Sequence, residues 1–246
     1  MARYQIILAY DGTGLAGSQR QAQARTAQSV LEAALTRLGW QERSILLAGR
    51  TDTGVHATGQ VAAFNLEWKH SDEELVQALN SFLPPDVAVR HANIVCEGFH
   101  PRFDAIARRY RYRLFCQKVR DPLRERFAWR VWPPVEDNVL QTVASFLIGK
   151  HDFAAFGTPP RPGSSSVRTV MKAEWQQQGD EWLFEVQADA FLYRMVRRMV
   201  FIQVAAGQGK VSAEVVADLV AGRQRVASAG LAPAHGLTLV EVTYPE

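Results

Sequence analysis

The stretch "LLAGRTDTGVHATGQV", residues 46–61, sets one carboxylate, Asp52, two residues after Arg50 and two before Gly54, directly behind a short apolar run. A turn accounts for aspartate followed by glycine, since an aspartate side chain bonds its own backbone and glycine takes a positive φ at no steric cost. It does not account for the arginine. A carboxylate withdrawn from water has its pKa raised unless an opposite charge lies close, so an ionised aspartate in a cleft wants an arginine partner. A second arginine answers that need. In "FLYRMVRRMVFIQVAAG", 191–207, helical spacing sets Arg197 between Tyr193, Phe201 and Val204 on a helix apolar over most of its circumference. A guanidinium there is costly to bury without a carboxylate opposite it. Two readings stand at this point: a reactive carboxylate with its counter-charge, or an ordinary buried ion pair with Asp52 as a turn residue.

Other chemistries fare worse. "GTGLAG", 12–17, satisfies GxGxxG after a strand-like run, but a dinucleotide fingerprint needs the helix to open within the glycine turn so that its N-terminus holds the pyrophosphate. Here "SQRQAQART" separates the glycines from the first helical periodicity, which argues against a nicotinamide-dependent dehydrogenase. The six histidines form no HxH or HxxxH pair, and the serines lack a GxSxG elbow. "IGKHD" carries a Gly-Lys dipeptide without the rest of a phosphate loop. Cys96 and Cys116 have no CxxC spacing and are expected to be core thiols. A metal site would have to be assembled from distant elements.

A chain of 246 residues with 47% hydrophobic content is long enough for one large domain or two ordinary ones. With no secretory apolar segment and no spanning stretch, it is expected to be cytoplasmic and without a membrane partner. The charge is uneven: residues 1–104 carry nine basic and eleven acidic side chains, residues 105–246 nineteen and fourteen. Nine of the basic ones fall within 108–130, where "RRYRYRLF" interleaves arginine with aromatic rings. Such a cluster is often no more than a solvated surface; the interleaved rings and the planar guanidinium fork point it toward nucleic acid.

The elements that must position these residues follow from periodicity. "RYQIILAY" alternates as a strand. "SVLEAALTRLG" places Val30, Leu31, Ala34, Leu35 and Leu38 on one helical face behind a Ser29/Glu32 capping box. Strands "SILLAG" and "QVAAFNLE", a helix "EELVQALNSFL" capped by Ser71 and Glu74, and a strand "VAVRHANIV" complete a β-α-β-β-α-β order, the ferredoxin-like arrangement. The second half varies the theme, with strands in "YRYRLF", "VMKAEWQQ", "EWLFEVQA" and "GLTLVEVTY" and helices in "NVLQTVASFLIG", 191–207 and "AEVVADLVAG". Proline and glycine mark 158–166 as an extended mobile loop. The class is α+β, with the boundary near residue 104: a half over 1–104 carrying the Asp52 loop and a half over 105–246 carrying the basic strand and the Arg197 helix.

Five segments resemble, in order, the signatures of the tRNA pseudouridine synthase A family: "YDGTGLAGSQRQ", "AGRTDTGVHATGQV", "FHPRFDAIARRYRY", "GKHDFAAF" and "FLYRMVR", the likeness running from Ala9 to Pro245. The resemblance implies two ferredoxin-like halves sharing a mostly antiparallel central sheet. It also implies a homodimer with one tRNA spanning both subunits. The implied reaction converts uridine to pseudouridine in the anticodon stem-loop, at tRNA positions 38, 39 and 40, without metal or organic cofactor. Carried over position by position, Asp52 is the nucleophile, Arg50 helps extrude the uridine, Tyr110 stacks on the flipped base and Arg197 pairs with the nucleophile. A binding-only RNA protein is the rival class.

Four positions depart from the family pattern: Ser18 for Trp, Thr53 for Ala, Pro101 for Ala and Ala155 for Ser. Ser18 is expected to remove a stacking surface near the cleft and so to alter RNA affinity or target range. His56 invites a general-base role, but a hydrogen-bonding role in the loop is favoured. Gly49 and Gly54 are expected to let the backbone approach RNA closely.

Overall fold

The computed structural model describes residues 1–159, 161, 163–223 and 230–245. Pro160 and Pro162, in the loop expected over 158–166, lie outside them. The chain forms two compact units, Met1–Ile106 with Thr238–Glu246, and Ala107–Leu237. The first contains β1 (Ala2–Tyr10), α1 (Ala27–Arg37), β2 (Leu46–Leu47), β3 (His56–Leu66), α2 (Asp72–Phe82) and β4 (Val87–Val95). The second contains β5 (Ala107–Cys116), β6 (Trp129–Val131), α3 (Asp137–Ser145), β7 (Gly149–Asp152), β8 (Val167–Gln178), β9 (Glu181–Ala188), α4 (Met195–Gly207) and α5 (Ala213–Val220). The last strand, β10 (Leu237–Thr243), returns to pair with β3.

In the first unit β1 lies between β4 and β3, with β2 on the far edge of β3 and all three pairings antiparallel. That is the 4-1-3-2 order of a ferredoxin-like sheet. Alternation on β1 explains its face: Tyr4, Ile6, Leu8 and Tyr10 are buried, while the residues between them are partly exposed. β10 runs parallel to β3 where Thr238 meets His56 and Leu239 meets Ala57, the start of β3 just beyond Asp52. Gly59 permits this approach, because a Cβ there would stand 2.1 Å from the Val240 carbonyl oxygen.

The helix start of α2 is the one expected: the Ser71 side chain accepts the Glu74 amide (3.2 Å) and the Glu74 carboxylate takes the Ser71 amide (2.9 Å). That of α1 differs. The helix begins at Ala27, capped reciprocally by Thr26 and Ser29, because its first turn carries no apolar contrast to reveal it. Glu32 is instead a buried tie, accepting the Gln28 side-chain amide (2.9 Å) and the Ile45 backbone N–H (3.1 Å).

The second unit orders its strands β5-β9-β8-β7, antiparallel throughout, with β6 parallel to β5 on its other edge. Its core gathers Tyr112, Leu114, Phe184, Val186, Leu140, Val143 and Met199. Trp175 on β8 donates its indole N–H to the fully buried Gln203 of α4 at 3.0 Å, fixing that helix on the sheet. α4 starts at Met195, four residues later than the sequence reading, since Arg194 turns left-handed at φ 63°; Tyr193 therefore precedes the helix that carries Arg197. β6 and β7 were not legible from alternation, being three and four residues long. The cysteines are not core thiols: Cys96 is exposed and Cys116 only half-buried, where burial still pushes its pKa up. Among the described residues no helix is long and apolar enough to cross a membrane.

The α2 cap yields a direct test. Ser71→Ala removes the acceptor for an exposed helix-terminal amide and is expected to lower stability by about 1 kcal/mol in denaturant unfolding, with an unchanged m-value.

Candidate functional site

Asp52 lies on the connection from β2 to β3, a segment with few strand bonds of its own. Its backbone groups must therefore find partners elsewhere, and they find them in the sequence that follows β1. The Thr51 amide donates to the Ser18 hydroxyl (2.8 Å), and the Ser18 amide donates back to the Thr51 carbonyl (3.1 Å). The Thr51 hydroxyl meets the Tyr10 phenol at 2.8 Å, and Gln60 gives its side-chain N–H to the Gly49 carbonyl at 3.0 Å. The turn closes on itself where the Val55 amide donates to the Asp52 carbonyl (3.1 Å), with Gly54 at φ 79°. Ser18 and Gln60 are fully buried, Thr51 nearly so, Asp52 half-buried and Arg50 exposed. Burial raises the Tyr10 pKa, with hydrogen bonds to Thr51, Gln60 and Ser18 pulling the other way. The phenol thus stays protonated within the network.

The Ser18 side chain points into the protein and holds the residue preceding Asp52. Gly54 serves the turn through its positive φ. A Cβ on Gly49 would meet nothing within 4 Å, so packing inside the protein does not require that glycine.

The glycines of "GTGLAG" belong to this same loop. A Cβ on Gly12 would lie 2.1 Å from the Val55 carbonyl oxygen, and one on Gly17, at φ 88°, would lie 2.7 Å from that of Thr51. Gly12–Gly14 form a short 3-10 turn capped by Asp11, and the next helix opens only at Ala27. The motif is a seat for the Asp52 loop rather than a pyrophosphate turn. His56 supports it from below. Its Nδ1 accepts the Gly12 amide at 3.0 Å and lies 3.1 Å from the Asp11 carboxylate, with the ring buried. That is the hydrogen-bonding role expected of it. Sequence reasoning missed Tyr10, Thr51 and Gln60 as supports; a buried glutamine on an otherwise apolar strand was the available signal.

In the second unit Tyr110 sits on β5 opposite Val186, largely buried, its ring edge-on to Phe191 at 5.0 Å. Arg197 is half-buried, and its Nε donates to the Ala232 carbonyl at 2.7 Å while its own carbonyl accepts the Ala232 amide. The basic cluster of 108–130 is largely paired within the unit. Arg109 and Arg111 meet Glu185, Arg113 meets Glu181, Arg124 holds Asp180 with both nitrogens, and Arg120 and Arg130 share Glu125. Burial pushes the Glu185 carboxyl up, but Arg111 and Lys172 more than offset it and leave its pKa below the usual value. Much of this cluster is thus engaged in ion pairs within the unit.

The arrangement offers a half-buried carboxylate on a braced turn, an exposed arginine two residues before it and, in the other unit, a buried aromatic ring and a tethered arginine. Among the described residues no group of three His, Cys, Asp or Glu could hold a metal ion. A braced carboxylate of this kind can act as a nucleophile or take a proton, since its support is in place before a substrate arrives.

A family model described as tRNA pseudouridine synthase matches residues 6–104 and 143–245, which take in Asp52 and Arg197 and leave Tyr110 between them. The chain is 39% identical to tRNA pseudouridine synthase A of Limosilactobacillus fermentum, covering 99% of this chain and 96% of that protein. It is 40% identical to tRNA pseudouridine synthase A of Methylacidiphilum infernorum, at 98% and 95% coverage, and 37% identical to that of Geobacter sp., at 100% of each.

The glycine seat predicts an ordered series. Gly12→Ala and Gly17→Ala should each cost at least about 2 kcal/mol, through collision with loop carbonyls and, at Gly17, a disfavoured φ. Gly14→Ala, whose Cβ would meet nothing closer than the Arg25 guanidinium at 3.5 Å, should stay within about 0.5 kcal/mol. Thermal unfolding of the three variants beside the parent protein checks the order.

Proposed function

The chain belongs to the tRNA pseudouridine synthase A family, isomerases that convert uridine to pseudouridine in tRNA, and on that footing we propose that Asp52 is its nucleophile, acting on the anticodon stem-loop at positions 38, 39 and 40. The observation that carries this is the brace. Thr51 is bonded at its amide, carbonyl and hydroxyl by Ser18 and Tyr10, so the carboxylate next in the chain is presented on a fixed backbone while remaining open to solvent.

The reaction moves the glycosidic bond of uridine from N1 to C5. The base must detach, rotate and re-form a bond to carbon while the C5 proton leaves, so atoms balance without an added reagent. Asp52 serves either of two routes: it forms a covalent adduct with the base, released when the bond from C1′ to C5 forms, or it takes the C1′ proton to assist the base's departure and returns it afterwards. Both require the nucleotide out of the helical stack, in a pocket. In this reading the exposed Arg50 occupies the vacated space and the Tyr110 ring lies against the flipped base. The Tyr110 phenol can then relay the proton lost from C5. Arg197, tethered in its own unit by Ala232, is the proposed charge partner of Asp52. The enzyme works as a homodimer in the cytoplasm, with one tRNA spanning both subunits and no metal or cofactor.

A binding-only RNA protein has no use for a braced carboxylate, and tritium release from tRNA labelled at uridine C5 separates the two. The parent protein is expected to release tritium, and Asp52→Asn to release none while binding tRNA as before. Appreciable turnover by a clean Asp52→Asn preparation would remove the assignment; retention of tRNA without release by the parent protein would favour the binder. Tyr110→Phe keeps the ring and loses the hydroxyl, so its tRNA affinity should hold while its single-turnover rate falls.

A further inference from the structure

Arg194 is the one non-glycine residue, among those described, in the left-handed region, at φ 63° and ψ 10°. An L side chain resists that conformation because its Cβ crowds the following carbonyl, so the surroundings must impose it. They do so from both sides. The Tyr193 amide donates to the Thr158 carbonyl at 3.0 Å, and the Thr158 amide donates back to the Tyr193 carbonyl at 3.4 Å. Leu192 and Met195 close the turn, the Met195 amide on the Leu192 carbonyl (3.1 Å) and the Leu192 amide on the Met195 sulfur (3.4 Å). Gly157 makes room, since a Cβ there would lie 2.4 Å from that of Leu192.

The turn lays the Arg194 guanidinium over the ring of Tyr193, 4.7 Å from its centroid, with Tyr193 52% exposed and Arg194 exposed beside it. Most arginines of β5 and the loop after it are matched to carboxylates. Arg194, among the described residues, has no carboxylate partner, and the first turn of α4 holds no acid. A guanidinium stacked on a ring is held flat with its N–H edges turned outward, the geometry that takes two phosphate oxygens at once. The location also fits, because Phe191, two residues before Tyr193, is the ring that packs edge-on against Tyr110.

We propose that Arg194, stacked on Tyr193, binds a backbone phosphate of the RNA strand whose base is presented to Tyr110. This rests on the reading of the protein as acting on tRNA. The site contributes affinity without reading sequence, and it acts before the chemical step.

Arg194→Asn tests it, because asparagine adopts the left-handed region more readily than arginine, so the turn is kept while the guanidinium is lost. Binding of tRNA at several salt concentrations should weaken, and the slope of log affinity against log salt should flatten by about 0.7–0.9, one phosphate contact. The single-turnover rate at saturating tRNA should stay at the parent value and Tm should not fall. Arg194→Lys should keep the slope, having kept the charge. Parent-like affinity and slope in Arg194→Asn would overturn the proposal, as would a lost saturating rate with affinity unchanged, which would make the turn a support for Tyr110 instead. Absence of tritium release by the parent protein would sink the isomerase reading separately, leaving the Arg194 contact to stand or fall on the affinity measurements.

Discussion

The hydrogen bond from the Thr51 amide to the Ser18 hydroxyl, 2.8 Å long and buried, is the constraint on which the proposed chemistry depends. A chain that carries a reactive carboxylate on a turn must satisfy the polar backbone on either side of it, or the turn will rearrange toward water. Here the Val55 amide closes the turn on the Asp52 carbonyl, and Tyr10, Leu15, Ser18 and Gln60 hold the backbone around it. β1 ends in Tyr10 and β3 contains Gln60, so the sheet that gives the first unit its core also fixes the height of the loop. Gly12 and Gly17 then let the two backbones close to a distance that no side chain would allow.

Sequence reasoning reached the parts of this that are local. β4 and β9 coincide with their alternating stretches, and α2 begins where Ser71 and Glu74 say it should. It failed where a residue's role depends on a partner far along the chain. Ser18 and Thr51 are 33 positions apart, Tyr10 and Thr51 are 41, and nothing in either neighbourhood announces the other. The same cause misplaced Glu32, read as a helix cap although its partners include the Ile45 amide. β2, two residues long, exists by pairing with Ala62 and Ala63 rather than by periodicity.

The site divides along the same line. Asp52, Arg50, Tyr110 and Arg197 could be proposed from the sequence because their motifs are compact and resemble a family pattern. "GTGLAG" was rejected as a dinucleotide turn on sound grounds, its distance from a helix, but its positive role became visible only when its glycines were found against Thr51 and Val55. In the basic stretch after residue 107, Glu181, Glu185, Asp180 and Glu125 pair with several arginines from the neighbouring strand and loop, a pairing that composition does not reveal. What distinguishes a candidate RNA contact is a guanidinium left unmatched and held in place at a conformational cost, which is a property of backbone angles and not of residue counts.

The most direct test of the brace is the single-turnover rate of Ser18→Ala on C5-labelled tRNA at saturating concentration. Removing one hydroxyl leaves the buried Thr51 amide without its acceptor, a loss of about 1–3 kcal/mol that falls on the residue preceding Asp52. The rate is expected to fall by about tenfold or more, with tRNA affinity unchanged, because the buried Ser18 side chain is bonded to Thr51 and does not reach the surface. A parent-like rate in a variant confirmed to be folded would contradict it, showing that Asp52 holds its position without the loop being tied to Ser18.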